Sequence, residues 1–138
     1  MIGIVAVLTV ALAIPVAQAQ NQQDIGNYNG SYLYNGQTKI YPTGRYRYAA
    51  TYMVENNDAV EEYDIGPSGV SYLASAVKHS DTSQRVTYEY DVTYDQTVHM
   101  NIETSAPVNT YYRLKHRSSD DFYNSYIVLM GTWAPNSK

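Results

Sequence analysis

The chain has 138 residues, a net charge of −4, a pI near 5.2 and no cysteine. That length suits one domain of ordinary size, and the acidic balance gives no electrostatic footprint for nucleic acid or an anionic membrane. Without cysteine, disulfides, thiol chemistry and cysteine-bound metals are excluded.

Residues 1–19 carry no charged side chain. Their apolar run, 5–16, is shorter than the about 20 residues a membrane-crossing helix needs, and it fits the apolar region of a secretory signal. Pro15 ends the helix before Val16-Ala17-Gln18-Ala19-Gln20, where small residues at Ala17 and Ala19 suit a signal peptidase. Cleavage is expected after Ala19, although no Lys or Arg precedes Lys39 to supply the usual positive start. Ala13-Ile14-Pro15 resembles the end of the apolar stretch in type IV pilin-like proteins. That resemblance covers three residues and implies an alternative, a retained apolar helix packed in a filament core. The family's acidic residue near the start of the mature helix has no counterpart, and Gly26, Asn27, Asn29 and Gly30 would break the long helix that should follow.

Residues 20–30 are polar and aperiodic and read as a flexible lead-in, with a sequon at Asn29-Gly30-Ser31 that makes Asn29 the candidate glycosylation site. A single Tyr-rich β-domain is expected over 31–138. Its first signal is a β-hairpin, 31–34 and 37–41 around Asn35-Gly36. Along 45–55, Tyr46, Tyr48, Tyr52 and Val54 alternate with Arg45, Arg47 and Glu55, which predicts a strand with its tyrosines inward. Asn56-Asn57-Asp58 predicts a turn into a shorter strand over 60–65, and residues 66–69 a second turn. Residues 70–77 read as a strand, with a short helix as the alternative. Along 85–95 the alternation is clearest, with Val86, Tyr88, Tyr90, Val92 and Tyr94 against Glu89, Asp91 and Asp95. A turn at Asp95-Gln96 leads to a strand with Val98, Met100 and Ile102 on one face. Tyr112 and Leu114 then oppose Arg113, Lys115 and Arg117. The continuous apolar run 126–133 reads as a central strand or one covered on both faces. Eight or nine such strands, with turn signals every ten residues or so, predict an all-β antiparallel sandwich or up-and-down barrel preceded by an apolar N-terminal segment.

No catalytic constellation emerges from these residues. His79, His99 and His116 fall on separate elements without a second ligand at metal-binding spacing, so no metal or other cofactor is expected. The carboxylate pairs Glu61/Glu62, Glu89/Asp91 and Asp120/Asp121 sit on polar faces or in a turn, where they make poor general acids. Glu89, Asp91 and Asp95 form an acidic stripe and Arg113, Lys115 and Arg117 a basic one. These two stripes either pair within the fold or join one subunit to the next.

Sixteen tyrosines nearly equal Leu, Ile, Val and Phe combined beyond residue 19. Buried phenols need acceptors, so the rings serve an unusual core, a ligand cavity or subunit interfaces. The candidate contact residues are Tyr46, Tyr48, Tyr52, Tyr88, Tyr90 and Tyr94. The leading expectation is a non-enzymatic secreted or cell-surface structural protein, a self-associating subunit of a filament, coat or matrix, with the periplasm as the alternative location. The rival is a secreted β-barrel or sandwich that binds a carbohydrate or small ligand in a cavity lined by Tyr46, Tyr48, Tyr88 and Tyr90. Neither reading involves nucleic acid, or a membrane once the signal is removed.

Overall fold

A computed structural model describes residues 23–62, 66–67, 70–119 and 126–136; the signal segment 1–19 lies outside them. Among the described residues eleven strand segments form: β1 (Gly26–Asn27), β2 (Ser31–Tyr34), β3 (Thr38–Ile40), β4 (Arg45–Arg47), β5 (Met53–Glu62), β6 (Gly66–Pro67), β7 (Tyr72–Lys78), β8 (Tyr90–Val92), β9 (Thr97–Met100), β10 (Thr110–Ser118) and β11 (Tyr126–Ala134). They make two antiparallel sheets that face each other as a sandwich. In sheet A, β11 has β5 along one side and β1 then β2 along the other, while β9 and β6 share the far side of β5. In sheet B, β10 lies between β7 and the pair β3 and β4, and β8 borders β7.

Among the described residues the inner strands run 7 to 10 residues, whereas the edge positions are filled by pieces of 2 to 4. Short edges offer little backbone for another chain to pair with. Leu33, Met53, Val60, Tyr72, Leu114, Ile127 and Leu129 fill the space between the sheets and are wholly buried. On β10, Tyr112, Leu114 and His116 point inward and Arg113, Lys115 and Arg117 outward, in the expected sense. β11 is central to its sheet, and its burial alternates, so one face of the strand meets the core and the other lies half-buried outside.

Several expectations are corrected. The Asn35-Gly36 turn forms, with Tyr34 O accepting from Gln37 N at 3.0 Å, but its flanks separate: β2 pairs with β11 and β3 with β10. A tight hairpin turn of the Asn-Gly type needs positive φ at both central residues, and here only Gly36 has it, at 76°. The turn is a corner between sheets. The lead-in contributes β1 to sheet A and sends Tyr28 into the core at 4 % exposure. The turn expected at Asn56-Asn57-Asp58 is a bulge inside β5, because Gly131 pairs with Asn57 and Met130 with Ala59, leaving Asp58 over. Inward positions change phase there, from Met53, Glu55 and Asn57 to Val60. Gly66 and Pro67, read as a turn, pair with Glu62 and Glu61; the remainder of that turn lies outside the described residues. The strand expected over 70–77 does form, as β7, and its helical alternative does not.

The two tyrosine-alternating stretches depart furthest. Along 45–55 the alternation survives with its sense reversed: Arg47 and Glu55 are buried, Tyr46 and Tyr48 half-buried, Tyr52 exposed, and the strand breaks between β4 and β5. Along 85–95 only β8 is a strand. Val86 N donates to Ala76 O, but the Ala76 amide goes to the Thr87 hydroxyl at 2.9 Å, and this side-chain capture interrupts the ladder. Tyr88 and Tyr94 are exposed.

Candidate functional site

Glu55 and His116 are both 0 % exposed and meet across the inter-sheet space, His116 Nε2 at 2.5 Å from Glu55 Oε1. A bare carboxylate there would be very costly. Its other oxygen accepts the Tyr72 hydroxyl at 2.9 Å, and Asn57 Nδ2 donates to Tyr72 at 3.1 Å. Across the ring, His116 Nδ1 lies 2.8 Å from the Tyr41 hydroxyl, which is 2.7 Å from Ser31 Oγ. Lys39 Nζ donates to Ser31 Oγ at 2.8 Å and sits 5.3 Å over the Tyr41 ring. Since ammonium can only donate, the first link runs from Lys39 to Ser31. At the other end His116 Nε2–H gives to Glu55, and between them the Ser31 and Tyr41 hydroxyls, which both donate and accept, serve His116 Nδ1 whether it accepts or donates.

A surface cation is thus linked to a core anion. Strand β5 supplies Glu55 and Asn57 from sheet A, and β7 and β10 supply Tyr72 and His116 from sheet B, so the network bridges the sandwich. Rings of Tyr28, Tyr41 and Tyr72 surround the imidazole edge-on at 4.7 to 5.0 Å. Gly131 admits Tyr28: a Cβ there would collide with the Tyr28 hydroxyl and the Asn56 carbonyl. Burial, reinforced by the Glu55 charge, raises the Tyr28 and Tyr72 phenols far above the ordinary tyrosine range; burial chiefly does the same for Tyr41. Arg47 is also inward, its guanidinium donating to the carbonyls of Ala106 at 3.0 Å and Pro135 at 2.5 Å.

Other tyrosines gather outside in two clusters. On the outer face of sheet A, Tyr32 stacks on Tyr126 at 5.1 Å and 11°, with Tyr34 5.4 Å from Tyr126. On the outer face of sheet B, Tyr46 lies 5.0 Å from Tyr111, its partner across β4 and β10, and 4.7 Å from Tyr48. Tyr32, Tyr34 and Tyr111 are each about half exposed. Of the sequence-selected rings, Tyr46 and Tyr48 come together, but Tyr88 lies just before β8 and Tyr90 opens that strand. There the Tyr90 hydroxyl accepts from Asn101 N at 3.0 Å. Tyr94 is exposed in the turn where Asp95 takes a φ of 55°, and Tyr52 stacks on His99 at 5.5 Å.

The charge stripes meet within the fold at one point. Arg117 reaches over β7 to hold Glu89 with two hydrogen bonds, at 2.5 and 3.1 Å, and so keeps that carboxyl below the usual carboxylate range. Asp91 accepts from Ser71 Oγ, Asp95 N donates to Asn57, and Arg113 donates to His79. Lys115 points outward beside Arg113 and Arg117. Because the Arg117 side chain is 44 % exposed, Glu89→Ala is expected to lower stability by less than about 1 kcal/mol in chemical denaturation. Asn29 is exposed, and its side-chain oxygen accepts Gly131 N at 3.0 Å. No three His, Asp or Glu side chains converge as metal donors among the described residues.

The buried bridge was missed because charged residues were assigned outward. Its signal is phase: His116 shares a face with Tyr112 and Leu114, and Glu55 with Met53. Comparison with protein-family models, with curated proteins and with solved structures finds no match.

Proposed function

We propose that the protein is a non-enzymatic extracellular structural subunit that assembles with copies of itself through the outer faces of its two sheets. The observation that carries this reading is the pair of exposed tyrosine clusters on opposite faces. One ring provides apolar area and a hydroxyl, the chemistry favoured at protein interfaces. Two different patches on opposite faces suit a head-to-tail contact, which repeats. Charge complements the pairing. Glu61 lies in the cross-strand row of Val128 and Tyr32, while Arg113 and Lys115 flank the Tyr46/Tyr111 cluster. The apolar, uncharged residues 1–19 support export. The Glu55–His116 pair, sealed from solvent, serves cohesion between the sheets.

Sedimentation velocity of the chain from Gln20 onward should reveal concentration-dependent association. A double change, Tyr32→Ser and Tyr126→Ser, should raise the dissociation constant by about tenfold or more, as loss of an aromatic anchor does. A chain that stays monomeric at every concentration would overturn the reading. N-terminal sequencing of native material that finds Gln20 first would support the export signal, and an intact Met1 would favour the retained helix.

A further inference from the structure

Away from the Tyr32 cluster, near the end of β11, the outer face of sheet A carries a groove of about 450 Å³. Strand register builds it as two parallel rows. Thr132, Asn56 and Thr97 are successive cross-strand partners and form a polar row. Val54 and His99 form the next row, which Tyr52 extends on one side by stacking on His99 at 5.5 Å and 10°. Ile25, 53 % exposed, lines the same groove. None of its described lining residues is Asp, Glu, Lys or Arg.

From this arrangement we infer that the groove is a binding site for a neutral saccharide, a property beyond the self-assembly reading. A pyranose ring has an apolar face of C–H groups and an edge of hydroxyls, and the groove offers a surface for each. Tyr52, 52 % exposed, supplies an aromatic platform for the C–H face. In the polar row, the Thr97 hydroxyl donates to Asn56 Oδ1 at 2.8 Å. This leaves the Asn56 amide nitrogen, without a partner among the described residues, as a donor in the groove lining. Thr97 Oγ1 retains acceptor capacity, and Thr132 adds a hydroxyl. Adjacent strands lie about 4.8 Å apart, so three of them make each row about 10 Å long, room for roughly two rings. With no Lys or Arg among the described lining residues, uronates, sulfated sugars and phosphates would lose hydration without gaining a salt bridge to either side chain.

Isothermal titration calorimetry of the full mature chain with neutral disaccharides of glucose, mannose and galactose, and with a uronate-containing disaccharide, tests the assignment. Saturable binding of a neutral sugar is expected, with no detectable binding of the acidic one. Tyr52→Ala should weaken it by about tenfold, as loss of one stacking ring does. Tyr88→Ala, an equally exposed ring elsewhere, should leave it unchanged; both variants should retain the parent circular dichroism. Absence of binding by every neutral sugar at millimolar concentration, preference for the acidic sugar, or indifference to Tyr52→Ala would each overturn the inference.

Discussion

Replacing Glu55 by alanine is expected to lower the unfolding free energy by about 2–5 kcal/mol, the cost of leaving two buried donors without their acceptor at about 1–3 kcal/mol each. Domains of this size have about 5–15 kcal/mol in all, so the variant should melt far below the parent or fail to fold. Two donors lose their acceptor together: His116 Nε2–H and the Tyr72 hydroxyl, both wholly buried. The triple change Glu55→Leu, His116→Leu and Tyr72→Phe removes the donors as well and should recover most of the loss, since apolar replacement of a whole buried polar cluster is often near neutral. Chemical denaturation of the parent and both variants provides the measurement. A loss under about 1 kcal/mol for Glu55→Ala would mean that the bridge does not hold the sheets together.

Alkaline pH should unfold the protein in a cooperative step above about pH 10. Tyr28, Tyr41 and Tyr72 all have phenols raised above the ordinary value of 10.0 by burial. In the unfolded chain these groups lose their protons near 10, whereas the folded chain keeps them. Above that pH the folded form binds more protons than the unfolded one, so stability is intact below 10 and falls as pH rises. Each phenol contributes about 1.4 kcal/mol per pH unit, and three together about 4 kcal/mol per unit. A rise in tyrosinate absorbance from the buried phenols should coincide with loss of the β-sheet circular dichroism signal. If the tyrosinate absorbance reaches its full amplitude while the sheet signal persists, Tyr28, Tyr41 and Tyr72 are not buried in this way.

Much of the fold was legible from local pattern. The strands β9, β10 and β11 appear where alternation and turn residues place them, and the outward sense of Arg113, Lys115 and Arg117 follows from the apolar positions beside them. Alternation, however, says that a strand has two different faces and leaves open which is inside. Along 45–55 the usual assignment puts tyrosine in and charge out, and the structure reverses it because Arg47 is satisfied by carbonyls and Glu55 by His116 and Tyr72. Tyrosine is amphipathic enough to stand at either face, so a tyrosine-rich strand is a poor guide to its own orientation. The bulge at Asp58 and the Thr87 hydroxyl bond act across strands, and neither has a strong local signal. The groove depends on register among β5, β9 and β11, which are far apart in the chain. Its residues were visible one by one, but their adjacency was not.

The brevity of the border strands determines how an array of this protein would be held. Growth by adding strands edge to edge produces a continuous hydrogen-bonded ribbon, which strips apart only under harsh conditions. Pieces of two to four residues cannot propagate such a ribbon. Layers would adhere through rings and side-chain charges alone, so moderate salt or dilute denaturant should disperse them into intact, still-folded units.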